Sequence, residues 1–147
     1  MSTPDIWGPI IWTFIHSLIA KLRNEKKADE LLMIIKQILS NLPCPSCAAH
    51  ATAYFAKMSV GNMSKKKLKD VLYVFHNSIN VKKKVVPFHY KDMSRYDSIN
   101  LNIAFNQFRR AFQPSTGNMN MIMESFQRKM ALQKITKWFM DNRSHFA

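Results

Sequence analysis

Apolar residues recur three and four positions apart through nearly the whole chain, and only 3 glycines interrupt its 147 residues. That period places apolar side chains on one face of a helix, whereas strands would need strict alternation. A first helix is expected from about Pro4, a first-turn proline with Asp5 beside it to complement the helix dipole. It carries Ile6, Ile10, Ile11, Phe14, Ile15, Leu18, Ile19 and Leu22. Arg23 to Lys27 reads as a loop. A second helix spans Ala28 to Leu42 with Leu31, Leu32, Ile34, Ile35, Ile38, Leu39 and Leu42 on one broad face, and Pro43 stops it. A third begins at Cys44–Cys47, with Pro45 in its first turn and Ala48 to Met58 as its body; Gly61 and Asn62 break the chain. A fourth covers Ser64 to Val81 on Leu68, Val71, Leu72, Phe75 and Ile79, and Pro87 closes the segment. Four amphipathic helices joined this way predict an antiparallel bundle over about the first 90 residues. Two more helices follow: Ile99 to Phe112 on Ile99, Ile103, Phe105, Phe108 and Phe112, and, after a break at Pro114–Gly117, Met119 to Asp141 on Ile122, Phe126, Met130, Ile135, Trp138 and Phe139.

The remaining composition narrows the class. A chain that is 47% hydrophobic and 21% charged is globular, long enough for one domain with a real core. No apolar run approaches the roughly 18 residues that a membrane span needs. The apolar start Ile6–Leu22 lacks preceding basic residues and a small-residue cleavage site, so it is expected to be a mature helix and not a secretion signal. Two cysteines do not make a disulfide scaffold, and no glycine-rich phosphate loop is present. The formal charge is +13, spread along the chain. Lys65–Lys67 are expected on a solvated face, and no motif supports specific nucleic-acid binding despite the general attraction such charge provides.

Cys44 and Cys47 stand as CPSC and are the only thiols. At a helix start, the free N–H groups and the dipole stabilise a thiolate, and the spacing allows the sulfurs to bond to each other and exchange with an external dithiol. Three readings stay open on these residues alone: a redox disulfide, half of a zinc site, or inert core thiols. His50 and His76 would complete a Cys2His2 set, although Cys44, Cys47 and His50 would then come from a single helix. The companion reading is a basic, zinc-stabilised helical module that binds nucleic acid. Trp7, Trp12 and His16 on the first helix, and His76, Asn77 and Asn80 on the fourth, are individually ordinary core or surface residues. Together with CPSC, flat aromatic faces and His/Asn donors form a set able to hold a planar, polar-edged cofactor between helices.

Three ordered blocks carry a family resemblance: WGPIIWTFIH at Trp7–His16, CPSCAAH at Cys44–His50 and HNSIN at His76–Asn80. The sequence resembles the Erv/ALR family of FAD-linked sulfhydryl oxidases over about residues 5–98, with spacing close to that of compact members from large DNA viruses. The resemblance implies an all-α fold, a four-helix bundle with a short fifth helix in an oxidase domain at 1–98, followed by a C-terminal helical extension at 99–147. It implies FAD as cofactor, Cys47 as the flavin-proximal sulfur and Cys44 as the interchange sulfur. Trp7, Gly8, Trp12 and His16 would line the adenine side; His76, Asn77, Asn80 and Lys82 would hold the adenosine and pyrophosphate. His50, Tyr54 and Tyr96 would lie near the ring, and no metal is implied.

The reaction implied is formation of disulfides in partner proteins, with electrons passing through FAD to O2 to give H2O2. Relatives often carry a shuttle cysteine pair and a structural disulfide, and this chain has neither. Its pair is therefore expected to take electrons directly from a dithiol protein, such as a thioredoxin-like carrier or a viral redox protein. The family further implies a homodimer and a place in the host cytoplasm or virus factory and in the virion, and the lack of a long apolar run predicts no membrane association. A member that has lost activity and serves as a dimeric scaffold is the third alternative.

Overall fold

The computed structural model describes residues 4–58, 61–113 and 122–147. It is all-α, with helices α1 (Pro4–Lys21), α2 (Ala28–Leu39), α3 (Pro45–Ala56), α4 (Lys65–Lys82), α5 (Leu101–Phe112) and α6 (Ile122–Asp141). Among the described residues the only β feature is an isolated bridge between Leu22 and Phe146. The break at Pro114–Gly117 and the start at Met119, like the Pro4 and Asp5 side chains, lie outside the described set.

Local chemistry sets most of the boundaries. Ser64 caps α4 by accepting from the Lys67 N–H at 3.1 Å, and Asn100 caps α5 by accepting from the Ile103 N–H at 3.1 Å. The expected end of α2 at Leu42 is corrected to Leu39. There Ser40 Oγ donates to the Lys36 carbonyl at 2.7 Å and Asn41 Nδ2 to the Gln37 carbonyl at 2.8 Å. These side chains satisfy the last carbonyls and let the chain leave the helix before Pro43. The loop expected at Arg23–Lys27 contains a 3-10 turn at Glu25–Lys27. The short fifth helix is a 3-10 segment, Tyr90–Ser98.

One hydrophobic core runs from Trp7 to Phe146. The 1–98 and 99–147 portions both contribute to it. α1 packs most extensively against α5 and, on another side, against α4. Phe14 of α1 is fully buried and meets Phe108 at 4.5 Å, Phe105 at 5.6 Å and Phe139 at 5.8 Å between ring centroids. α6 lies against α2, and Trp138 Nε1 donates to Glu30 at 3.2 Å. The tail returns to α1, where the Arg23 N–H donates to the His145 carbonyl at 2.8 Å and the Ala147 N–H to the Lys21 carbonyl at 2.7 Å.

The apolar stripes of the last two helices need correction. In α6 the buried face is Arg128, Ala131, Ile135 and Phe139, while Ile122, Phe126 and Met130 face outward. In α5, Ile103 also faces outward, because Leu101, Ala104, Phe105, Phe108 and Phe112 already fill the arc facing the core. Both sets obey the same helical period, and neighbouring helices decide which one is covered. Ile6 of α1 is likewise exposed.

Candidate active site

The CPSC segment folds as its residue types dictate. Cys44 is the extended N-cap of α3 and Pro45 occupies the first turn. Cys44 and Cys47 form a disulfide with Cα atoms 5.2 Å apart. The Cys44 Sγ accepts from the Cys47 N–H at 3.3 Å and lies 3.3 Å from Ser46 Oγ. Both cysteines are half-buried and pack against the core from the surface side. A thiolate released at Cys44 therefore meets an N–H donor and the positive end of a 12-residue helix.

Beside it, α1 and α4 bring together the aromatic and imidazole groups. Trp12 stacks on His76 with centroids 4.0 Å apart and planes 7° apart, and on His16 at 5.6 Å. One ring nitrogen pair joins the histidines, His16 Nε2 to His76 Nδ1 at 2.9 Å. After α4, Lys84 adopts the left-handed region at φ 59° and turns the chain back. Asn77 then holds the returning strand of backbone, donating to the Phe88 carbonyl at 3.0 Å and accepting from the Phe88 N–H at 3.2 Å. Asn80 donates to Asn77 at 3.1 Å. Phe88 closes on His76 at 5.1 Å, and Tyr96 on His16 at 4.8 Å.

Phe75 links this cluster to the disulfide helix. It lies 6.0 Å from Trp12, 5.8 Å from His50 and 4.8 Å from Tyr54. His50 Nδ1 is 3.3 Å from Lys82 Nζ. Trp12, His16, His50, Tyr54, His76, Asn77, Asn80, Lys82 and Tyr96 thus belong to one contact network. Trp7 is instead buried in the core, and Gly8 sits on α1 with open space where a Cβ would project. Three contributors were not singled out from the sequence as site residues. Phe75 read as a core position, whereas Phe88 and Arg95 fall where no helical period flags them. The Arg95 guanidinium lies over Phe88 at 5.6 Å and Tyr96 at 5.4 Å. The sequence signal available was the cation–aromatic pair Arg95–Tyr96 itself.

Burial and nearby positive charge keep both histidines neutral. Burial lowers His16 from 6.5 to about 3, helped by His76 and Arg95. Burial likewise lowers His76 to about 4, helped by Arg95 and Lys83. Unfolded chains bind protons at these sites near pH 6.5, so the native state loses stability as pH falls from about 6.5 toward 4 and keeps it above that window. Thermal midpoints measured from pH 7.5 to 4.5 should drop through that window, and His76→Gln should flatten the slope. A midpoint independent of pH in this range would contradict the neutral pair.

Two buried imidazole nitrogens, His16 Nδ1 and His50 Nε2, have no hydrogen-bond partner. Buried polar atoms are nearly always paired, so each is an unmet donor or acceptor within the cluster. Among the described residues no three His, Cys, Asp or Glu side chains gather to hold a metal ion. Of the set considered for zinc, His50 faces Phe75 and Lys82, His76 faces Trp12 and His16, and the two sulfurs are bonded together. No helix is long and apolar enough to cross a membrane among the described residues.

Comparison with known proteins agrees with the three motif blocks. A protein of Invertebrate iridescent virus 6 named as an FAD-linked sulfhydryl oxidase (347L) is 31% identical over 87 residues, covering 52% of this chain and 78% of the relative. Monkeypox virus and Vaccinia virus proteins named as FAD-linked sulfhydryl oxidase OPG072 are 30% identical over 77 residues, covering 52% of this chain and 79% of the relative. No solved structure matches. The Erv1 / Alr family model matches residues 9–99, which take in Trp12 and His16 of α1, the CPSC disulfide and the His76–Asn80 block, and the chain belongs to that family.

Proposed function

We infer that this chain is an FAD-dependent sulfhydryl oxidase that oxidises thiols with O2 as the final oxidant. The observation carrying this reading is the continuity of the site: a disulfide at the start of α3 joined through Phe75 to the Trp12–His16–His76 cluster. The residues fit the cofactor on their own chemistry. Flat aromatic faces suit a planar ring system, buried His16 Nδ1 and His50 Nε2 lack partners, and exposed Lys82–Lys84 offer positive charge for a pyrophosphate. Trp12, His16, His76, Asn77, Asn80 and Lys82 would hold it, with Trp7 and Gly8 at the start of α1 and His50, Tyr54 and Tyr96 toward the dithiol. Bound FAD would supply the two-electron acceptor and the route to O2 that side chains lack.

In the chain's own half of the reaction, a substrate thiolate attacks Cys44 Sγ, the Cys44–Cys47 bond breaks and Cys47 leaves as thiolate. The second substrate thiolate then attacks the substrate sulfur of that mixed disulfide, and Cys44 leaves. The substrate loses two electrons and the pair gains them. The Cys47 N–H and the helix terminus stabilise Cys44 as a leaving thiolate, which speeds that second step. Cys47, nearer His50 in sequence, is assigned as the sulfur facing the cofactor. Neutral His16 and His76 position Trp12 without adding charge beside it.

The direct substrate is a dithiol protein, a thioredoxin-like carrier or a viral redox protein, since no second cysteine pair exists in the chain to relay electrons. Residues 1–98 carry the chemistry and 99–147 buttress it. A homodimer acting in the host cytoplasm and virion completes the reading, which rests on the viral relatives. An absorption spectrum followed by dithiol addition under air tests it. A yellow protein with flavin bands that converts dithiothreitol to its disulfide with matching peroxide is expected; a colourless protein holding about one zinc that a chelator unfolds would overturn it.

A further inference from the structure

Next to the disulfide helix, α6 presents a feature that the oxidase chemistry does not use. Arg128 is only 3% exposed, and its Nε and Nη2 have no hydrogen-bond partner. Those two nitrogens form one side of the guanidinium fork, the edge that matches both oxygens of a carboxylate. A buried cation with no hydrogen-bonded partner on that edge is costly; burial disfavours its charged form, and the Glu124 carboxylate one turn away offsets this only in part. Arg128 lines a recess of about 180 Å3 whose walls are Ser40, Asn41 and Leu42 after α2, Pro45 and Ala48 of α3, and Glu124 and Gln127 of α6. Pro45 follows Cys44 and Ala48 follows Cys47, so the recess opens beside the reactive disulfide.

A purely structural duty for Arg128 would be to cap the carbonyl end of α2. Ser40 and Asn41 already take the Lys36 and Gln37 carbonyls there. Glu124 stands one turn earlier on α6 and is exposed; among the described residues no ion pair joins it to Arg128. The volume exceeds the roughly 30 Å3 share of one water several-fold and suffices for a carboxylate-bearing side-chain end.

We propose that this recess receives an acidic side chain of the dithiol protein substrate, with Arg128 as the carboxylate anchor that brings the substrate thiolate to Cys44. The proposal rests on the oxidase reading and names how that site selects its substrate. It also assigns a use to α6, which lies beyond the family-matched residues 9–99. Glu124 is the competing resident carboxylate, so its removal strengthens binding.

The test uses the FAD-loaded full chain with dithiothreitol and two synthetic dithiol peptides that differ only in Glu or Gln beside the cysteines. The unaltered protein should show a KM about tenfold lower for the Glu peptide, the size expected of one charge-assisted, desolvated pair. Arg128→Gln should erase that preference while leaving the dithiothreitol KM unchanged. Glu124→Gln should widen it, and Lys66→Gln, distant on α4, should preserve it as a control for general charge. Equal KM values for the twin peptides on the unaltered protein, or a preference that survives Arg128→Gln, would overturn the anchor while normal dithiothreitol turnover left the oxidase reading standing. Should Arg128→Gln fail to fold, the twin peptides with Glu124→Gln decide alone, and no widening counts against the anchor. Absence of dithiothreitol turnover in the unaltered protein would overturn both.

Discussion

Cys47→Ser should lower dithiol-dependent peroxide formation by about a thousandfold or more, the scale on which removal of a covalent nucleophile operates. Serine retains the shape of the α3 start, and bound flavin absorbance should therefore be unchanged. What disappears is the bond whose cleavage accepts the substrate's two electrons. Cys44→Ser should be equally inactive toward dithiols, but the two variants separate on trapping. With Cys47 absent, Cys44 still sits at the helix N-terminus with the residue-47 N–H directed at it, and no internal thiol can displace a substrate once it has bonded there. Oxidised glutathione or an activated peptide disulfide should leave a stable adduct at Cys44, read by mass spectrometry. The Cys44→Ser variant should label more slowly, since Cys47 lies within the first turn and lacks the cap position. Activity above about a hundredth of normal in either variant would show that CPSC is not the redox centre.

The sequence carried the helices and the dithiol because their signals are local. Pro45, Ser64 and Asn100 act on their own turns, and the three motif blocks place their residues on α1, α3 and α4 by spacing alone. It carried less where the decision is made by a distant neighbour. Phe126 and Met130 satisfy the same period as Arg128, Ala131 and Ile135, and only the presence of α2 and α5 selects the second set. Phe88 and Arg95 enter the site because Lys84 reverses the chain and Asn77 grips the Phe88 backbone. A left-handed lysine and a 3-10 segment carry no periodic signature. The bridge from Leu22 to Phe146 joins residues far apart in the chain and is equally silent in any local window of sequence. Nothing local in the sequence marks Arg128, whose burial is a tertiary fact.

The 99–147 extension shares one core with the first helices, and Phe108 measures how much that packing contributes. Were those residues an appendage, a deep truncation in α5 would cost little. Phe108 is instead fully buried, stacked on Phe14 at 4.5 Å and on Phe112 at 5.0 Å. Phe108→Ala should destabilise the protein by about 3–5 kcal/mol, a large share of the roughly 5–15 kcal/mol that holds a domain together. The thermal midpoint should fall by roughly 10 °C or more. Ile103→Ala on the same helix, at 56% exposure, should change stability by no more than about 0.5 kcal/mol. The pair therefore separates the buried arc of α5 from its helical propensity. The consequence reaches the site because α1 is shared: Phe14 faces α5 from the helix whose Trp12 and His16 face His76. Loosening Phe14 releases the element that stacks Trp12, so flavin should dissociate from Phe108→Ala at a lower temperature than from Ile103→Ala. A midpoint within about 2 °C of the unaltered protein would mean that α5 is not part of the core that supports the cofactor cluster.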